Sequence, residues 1–125
     1  MLLGLGNDII EIKRVERSIK NHGQRFLDKV FTEREQEYCL RYKESQRHFA
    51  GRFAAKEAVL KALGTGLREG ISWLDIEIIN DSYGKPCAEL SAHIKEQFKH
   101  PGLLVSISHC KEYAAAVAIL FLDRQ

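Results

Sequence analysis

Proline is scarce in this sequence, with two residues among 125, and glycine is no more frequent than usual, with nine. Such a composition excludes a collagen-like chain and a low-complexity disordered one. Hydrophobic residues make up 45% of the chain and charged residues 29%, which is typical of a folded domain with a core. A chain of this length has no room for a second full-sized core, so we expect a single domain over residues 1–125.

Cysteines are also few, and Cys39, Cys87 and Cys110 are widely separated. An odd number of cysteines without a C-x-x-C pair indicates neither a disulfide framework nor a zinc site. We therefore expect reduced thiols, as is usual for proteins of the cytosol.

Long apolar runs and a strong excess of one charge sign are missing as well. The longest apolar run, residues 114–122, is about half as long as a membrane-spanning helix requires. The first residues lack a basic segment and meet a carboxylate at Asp8, which argues against a signal peptide. The net charge of +2 is too small for nucleic-acid binding by bulk electrostatics. We expect a soluble, cytoplasmic protein with neither a membrane nor a nucleic-acid partner.

Hydrophobic spacing predicts a strand and then a helix at the start of the chain. Residues 2–9 form a short apolar run, typical of a buried strand, which places Asp8 near its carboxyl end. The apolar residues that follow recur at helical spacing, at Ile12, Val15 and Ile19. The opposite face of this helix carries the basic side chains Lys13, Arg14, Arg17 and Lys20. One face therefore packs on the protein while a basic face looks outward.

Two further helices are predicted before the middle of the chain. Thr32 and Glu35 have the spacing of a capping box, which would begin a helix that runs to about Tyr42. The longest helix is predicted over residues 45–63, with Gly64 as its C-terminal stop.

The long helix carries charged residues close to its apolar face. That face is formed by Phe49, Phe53, Leu60 and Leu63. Glu57 falls at its edge, among small neighbours that leave space around the carboxylate. Lys56 projects into the middle of it, where a cation must snorkel to solvent, pair with an anion or bind one, and snorkelling is the commonest outcome.

The second half of the chain predicts mainly strands. Strands are expected at residues 73–80, 87–90, 103–108 and 113–122, with a turn at 81–86 and a short helix at 91–99. The last strand is nearly all apolar, so both of its faces need cover, and a neighbouring subunit would supply part of it. The order of elements predicts an α+β domain, a small antiparallel sheet with a long central helix.

Asp8 and Glu57 are the leading candidates for chemistry, since each is a carboxylate at the edge of an apolar element. One or two carboxylates with open positions suit Mg²⁺, which keeps water and takes substrate phosphates as its other ligands. Two simpler interpretations remain open at this point. Asp8 could cap the first helix, and Glu57 could form a surface pair with Lys61 one turn later.

His109 follows Ser106 and Ser108 at the end of a predicted strand. A serine and a histidine so close in sequence are not a catalytic dyad, because dyads are built across a fold. His109 is either a surface histidine or a hydrogen-bond donor to a phosphate. Gly64–Thr65–Gly66 lies at a helix C-terminus, where the dipole is negative, and so predicts a chain reversal, not a phosphate-binding loop.

Taken together, these segments resemble the holo-(acyl-carrier-protein) synthases, a family of small phosphopantetheinyl transferases. The block Arg-Phe-Ala-Ala-Lys-Glu-Ala at residues 52–58 is the most specific part of the match. It is accompanied, in order, by the segments Gly-Asn-Asp-Ile at 6–9, Phe-Thr-Glu-Arg-Glu at 31–35, Lys-Ala-Leu-Gly-Thr-Gly at 61–66, Gly-Lys-Pro at 84–86 and Ser-Ile-Ser-His at 106–109. The resemblance runs from about residue 3 to 120, with Asn7 where the family often has threonine.

The resemblance implies transfer of phosphopantetheine from coenzyme A to a serine of apo acyl carrier protein, in fatty acid biosynthesis. It implies Mg²⁺ bound by Asp8 and Glu57, Lys61 at the diphosphate, and a homotrimer with active sites between subunits. Coenzyme A would be bound by Lys61, His109, Arg52 and Gly64. The acidic carrier protein would meet Arg14, Arg17 and Lys20 on the first helix.

Two other function classes are compatible with parts of this pattern. A diphosphate hydrolase would use the same carboxylates and metal but pass the phosphoryl group to water. A non-catalytic RNA- or protein-binding module would use the basic helix alone, although the low net charge and the lack of interleaved aromatic residues argue against it. For the transferase, Glu57, Asp8 and a bound water all remain candidates for taking the proton from the incoming serine.

Overall fold

The computed structural model describes residues 1–68 and 70–122 of the chain. Along those residues the elements are β1 (Leu2–Glu11), α1 (Ile12–His22), α2 (Gln24–Val30), α3 (Glu33–Leu40), α4 (Ser45–Leu63), a 3₁₀ turn (Trp73–Asp75), β2 (Ile76–Asn80), β3 (Pro86–Leu90), α5 (Ala92–Gln97), β4 (Gly102–His109) and β5 (Tyr113–Phe121). None of the helices in the described ranges is long and apolar enough to cross a membrane.

The strands form two antiparallel sheets. One has the order β1-β5-β4 and the other pairs β2 with β3. The inner face of the three-stranded sheet packs on α4, whose buried residues include Ala54, Ala58 and Leu60. This arrangement confirms the predicted α+β class with a long central helix.

The strand β1 lies unusually close to α4. A Cβ added to Gly4 would overlap the carbonyl oxygen of Ala62, and one added to Gly6 would overlap that of Ala58. Only glycine permits such an approach of backbone to backbone. Because alternate residues of a strand share a face, Asp8 follows Gly4 and Gly6 on the side of the helix.

The outer sheet face, the side of the three-stranded sheet turned away from α4, is apolar and exposed. Leu5 is 70% exposed, Ile9 67%, Leu104 49% and Val117 42%. Leu5 and Leu104 are both in register with Ile119 of the central strand β5. In the single chain the last strand is thus covered by α4 on one face, and its other face is open.

The helix boundaries agree with the sequence where a capping signal exists. The α4 bounds are those predicted, and Gly64 ends the helix in a left-handed conformation with φ of 82°. The capping box of α3 is confirmed, since Thr32 Oγ1 accepts a hydrogen bond from the Glu35 backbone N–H at 3.3 Å and Glu35 Oε1 accepts one from the Thr32 N–H at 2.8 Å. That helix ends at Leu40, slightly before the predicted end at Tyr42.

Several elements differ from the prediction, among them β1, which runs to Glu11 instead of Ile9. The helix α2 was not expected, because no side chain caps its first turn, and it begins directly after Gly23, whose φ is 54°. Leu27 and Val30 bury its inner face, so tertiary packing stabilises it. The strand predicted from Trp73 begins three residues later, after the 3₁₀ turn.

Lys56 does not snorkel, and that expectation is wrong. Its side chain is fully buried, with Nζ 2.6 Å from Glu35 Oε1, and Glu35 is fully buried too. The ammonium group also donates to the backbone carbonyls of Val30 at 2.7 Å and Trp73 at 3.0 Å. Glu35 Oε2 accepts from the Ile78 N–H at 2.7 Å. The pair therefore joins α3 and α4 to the backbone around them.

Candidate active site

Asp8 and Lys61 form a polar contact where β1 crosses α4. Lys61 Nζ lies 3.1 Å from Asp8 Oδ1 and donates a hydrogen bond to the Asn7 carbonyl at 2.9 Å. The Asp8 side chain is 19% exposed and that of Lys61 56%, so both remain open to a ligand. The glycine-mediated contact of β1 with α4 brings these two side chains together.

Glu57 belongs to the same group, one helical turn before Lys61. Burial raises the pKa of Glu57, and the negative charge of Asp8 raises it further. The side chain of Trp73, acting as a hydrogen-bond donor, and then the charge of Lys61 oppose that rise in pKa. The two carboxylates are therefore close enough to repel each other, which is the electrostatic condition that a bound cation relieves.

The simpler interpretations of both carboxylates are not observed. The residue at the N-cap of α1 is Glu11, and no side chain caps that helix. Lys61 makes its ion pair with Asp8 and not with Glu57. Neither the helix cap nor the Glu57–Lys61 pair therefore accounts for these two carboxylates.

The donor set fits Mg²⁺. Two carboxylates face a partly open surface, and a hard cation that keeps several waters needs no more protein ligands than that. No group of three or more His, Cys, Asp or Glu side chains suited to a metal occurs within residues 1–68 and 70–122. A closed transition-metal site is therefore not among the described features.

Arg52 lies at a second location, nearer the start of α4. It is only 4% exposed, and its guanidinium lies 3.9 Å from the centre of the Tyr38 ring. Its Nη2 donates a hydrogen bond to Asn80 Oδ1. Its Nε is buried without a hydrogen-bond partner among the described residues. A buried cation with a free donor is suited to an anionic ligand.

His109 lies beside Arg52, at the exposed end of β4. Both side chains line one cleft together with Arg47, His48 and Gly51. The ring of His48 is 6.1 Å from that of His109. Burial lowers the pKa of His48, and the neighbouring charges of His109 and Arg52 lower it further.

The predicted coenzyme-binding residues thus fall into two groups in a single chain. Lys61 and Gly64 lie at the C-terminal end of α4. Arg52 and His109 line the cleft beside the N-terminal half of the same helix. Arg52 and Lys61 are nine positions apart, which corresponds to about 14 Å along a helix axis. Gly64 contributes only backbone, as the residue that ends the helix.

The basic face of α1 is exposed, as the sequence predicts. Lys13, Arg14, Arg17 and Lys20 all point to solvent. Ile12 and Val15, on the other side of the helix, are buried at 5% and 2% exposure. The helix therefore presents a row of cations that a partner can reach.

Several residues near the two groups were not singled out from the sequence. Tyr38 and Asn80 hold Arg52, and Trp73 lowers the pKa of Glu57. Each comes from an element other than α4, so helical spacing could not connect them with it. The sequence shows that Trp73 is the single tryptophan, but it does not show which residues lie near it.

Comparison with known families matches residues 4–118 to the model of the 4'-phosphopantetheinyl transferase superfamily. The chain belongs to this superfamily. Its relatives include the holo-[acyl-carrier-protein] synthase of Protochlamydia amoebophila, 60% identical over 119 residues that cover 95% of this chain and 98% of the relative. The enzyme of the same name from Chlamydia pneumoniae is 48% identical over 118 residues, covering 94% of this chain and 96% of that one.

Solved structures of such transferases share the fold. The holo-(acyl-carrier-protein) synthase of Bacillus anthracis, in complex with CoA (3',5'-ADP), superposes with a TM-score of 0.84 at 38% identity, covering 98% of this chain and 99% of that one. The Helicobacter pylori enzyme in complex with coenzyme A gives 0.85 at 34% identity, with 93% and 98% covered. The resemblance seen in the sequence is therefore confirmed, and the chain is a phosphopantetheinyl transferase by family.

Proposed function

We propose that this protein transfers the 4'-phosphopantetheine group of coenzyme A to a serine of apo acyl carrier protein. The products are holo acyl carrier protein and adenosine 3',5'-bisphosphate, and the reaction is Mg²⁺-dependent and serves fatty acid biosynthesis in the cytoplasm. The observation that carries the proposal is the group formed by Asp8, Glu57 and Lys61 where β1 crosses α4. The names of the relatives and the coenzyme bound by two neighbours support it.

The bond changes need little covalent chemistry from the enzyme. The serine oxygen of the carrier protein attacks the phosphorus that bears pantetheine, and the bond from that phosphorus to the diphosphate bridging oxygen breaks. Adenosine 3',5'-bisphosphate leaves with that oxygen, while the proton of the serine hydroxyl passes to one of the candidate bases, Glu57, Asp8 or a bound water. The nucleophile arrives on the partner, so no serine or cysteine of this chain is required.

Each residue of the group has a distinct task in this reaction. Asp8 and Glu57 would hold Mg²⁺, which supplies charge neutralisation at the phosphoryl oxygens when bound. Lys61 can swing from Asp8 to a diphosphate oxygen, since its side chain is 56% exposed. There its positive charge stabilises the negative charge that develops as the bond breaks.

Arg52 and His109 are assigned to the remaining phosphate of coenzyme A. The buried guanidinium with a free Nε–H and the adjacent histidine offer donors to an anion, while Tyr38 and Asn80 hold the arginine in place. Such a preorganised arginine binds phosphate with little loss of side-chain freedom.

The carrier protein is assigned to the basic face of α1. Acyl carrier proteins are acidic, and Arg14, Arg17 and Lys20 are exposed cations on one helix. Complementary charges raise the rate of encounter and fix the orientation of the complex.

We further propose a homotrimer with its active sites between subunits. The apolar outer sheet face is of the kind that marks a protein interface. In a single chain the group around Lys61 and the group around Arg52 lie at different parts of α4. In a trimer, one coenzyme molecule would contact the Lys61 group of one chain and the Arg52 group of its neighbour. Light scattering should report a trimer, and Leu5→Arg should dissociate it, whereas Leu40→Arg on α3 should not. A fully active wild-type monomer would overturn this arrangement.

Mass spectrometry of apo acyl carrier protein tests the activity directly. Incubation with this protein, coenzyme A and Mg²⁺ should add one phosphopantetheine per carrier, and a carrier lacking the acceptor serine should stay unmodified. Release of adenosine 3',5'-bisphosphate should equal the amount of carrier modified. Cleavage of coenzyme A without any carrier would indicate the hydrolase instead.

A further inference from the structure

Trp73 lies at the start of the segment that leads into β2, and its ring packs on α4. It begins the 3₁₀ turn that precedes β2. Its backbone carbonyl accepts a hydrogen bond from Lys56 Nζ at 3.0 Å, and its ring lies 6.0 Å from that of Phe53. Both ends of the residue are therefore held by α4.

The polar atom of this side chain is buried without a partner. Trp73 Nε1 has no acceptor in hydrogen-bond geometry among the described residues and is closed off from water. A buried donor left unsatisfied costs free energy, so such an atom is normally found next to an acceptor that serves it.

Glu57 is the candidate acceptor. Phe53, which packs on the Trp73 ring, precedes Glu57 by one helical turn, so both project from the same side of α4. The Trp73 side chain lowers the pKa of Glu57 as a hydrogen-bond donor would, which agrees with this placement, although Nε1 makes no hydrogen bond among the described residues.

We propose that Trp73 is a positioning residue whose indole N–H holds one carboxylate oxygen of Glu57, leaving the other oxygen free for Mg²⁺ and its bound phosphates. This inference rests on the proposed function, because it gives Glu57 the task of a metal ligand. Partners of this kind orient the ligands of many metal sites, and their loss typically weakens metal binding by 10- to 100-fold.

The buried ion pair of Lys56 and Glu35 connects Trp73 to the core. Lys56 Nζ contacts both Glu35 and the Trp73 carbonyl, and Lys56 is the neighbour of Glu57 in α4. The backbone of Trp73 is thus held by a fully buried lysine side chain. A surface loop could not orient a carboxylate so reproducibly.

Two substitutions separate the indole N–H from the packing of the ring. Trp73→Phe removes the donor and keeps an aromatic ring, while Trp73→Leu removes both. The affinity for Mn²⁺ should fall about 10-fold in both variants. It is measured by electron paramagnetic resonance in the presence of coenzyme A, with a correction for the Mn²⁺ that the coenzyme binds alone. The Mg²⁺ concentration for half-maximal transfer should rise by a similar factor, and high Mg²⁺ should restore much of kcat.

The wild-type protein offers a second readout, since Trp73 is its only tryptophan. Mn²⁺ is paramagnetic and should quench the fluorescence of an indole next to its site. The quenching should saturate in the wild type and vanish in Glu57→Gln. Neither effect requires turnover of the enzyme.

The outcomes distinguish this inference from the proposed function. If the wild type modifies apo carrier protein but Trp73→Phe binds Mn²⁺ as tightly as the wild type, the positioning role is wrong and the transferase stands. A loss in Trp73→Leu alone would show that only ring packing matters, and would also overturn it. A wild type that binds no Mn²⁺ overturns the metal role of Glu57, whereas absence of transfer contradicts the proposed function itself.

Discussion

Lys56 and Glu35 form an ion pair of 2.6 Å between two side chains that are both fully buried. Each charge has further partners, since Lys56 donates to two backbone carbonyls and Glu35 accepts from two backbone N–H groups. Charges taken out of water are costly unless every donor and acceptor is met, and here they are. The pair therefore maintains the junction of α3, α4 and the start of β2.

Removing one member of this pair should strongly destabilise the protein. In Lys56→Met the carboxylate of Glu35 stays buried without its counter-ion, and the free energy of unfolding should fall by about 3–5 kcal/mol. The double variant Lys56→Met, Glu35→Leu should lose less than the sum of the single changes. Urea unfolding measures all three, with Lys95→Met on the surface of α5 as a control that changes little. Equal stability of Lys56→Met and wild type would contradict this account.

Asp8→Asn and Glu57→Gln should each abolish transfer at limiting Mg²⁺ while leaving the fold intact. Each change removes a negative ligand for a hard cation and almost no volume. Carrier modification measured across a range of Mg²⁺ concentrations tests this, with circular dichroism as the check on folding. Glu96→Gln on α5 is the matched control. A variant with wild-type activity at limiting Mg²⁺ would show that its residue is not a ligand.

Charge reversal on α1 should impair the carrier protein specifically. Arg14→Glu replaces attraction by repulsion, which at an interface costs several kcal/mol. The KM or kcat/KM for the carrier should deteriorate while coenzyme A binding is unchanged, and wild-type transfer should weaken as salt rises. Lys95→Glu reverses a charge on another helix and should have no such effect. Equal losses for both substrates would place α1 at the coenzyme instead.

The thiol of Cys39 should make stability fall at alkaline pH. Burial raises its pKa from 9.0 to about 12, so above pH 9 the unfolded chain loses this proton while the folded chain keeps it. Deprotonation thus favours unfolding, and this contribution, complete below pH 9, decreases by up to about 1.4 kcal/mol per pH unit above it. Urea unfolding from pH 8 to 10.5 should show a shallower decline for Cys39→Ala. Parallel declines would refute the assignment.

Local signals in the sequence predicted the parts of the fold that local chemistry decides. Thr32 with Glu35 and Gly64 are capping residues, and the helices that they delimit were placed within a few residues. The helix α2 has no such signal, and packing of Leu27 and Val30 decides it. Propensity and spacing do not encode contacts of that kind.

The candidate site was predictable to the extent that its members lie on periodic elements. Asp8 and Glu57 stood out as carboxylates at apolar edges, and the structure brings both to one place. The partner of Lys56 was not predictable, because Glu35 lies on another helix and the favoured local alternative was snorkelling. Trp73 escaped notice for the same reason, since its relation to Glu57 exists only in three dimensions.

The two glycines of β1 have a consequence for how this enzyme tolerates change. Because strand and helix meet through main-chain atoms at Gly4 and Gly6, the spacing of Asp8 from α4 does not depend on the size of any core side chain. Repacking elsewhere in the interior leaves that spacing intact, whereas one methyl group at either glycine must push the strand outward. Substitutions in the core should therefore leave the position of Asp8 unchanged. Substitutions of Gly4 or Gly6, which have no side chain, should displace it.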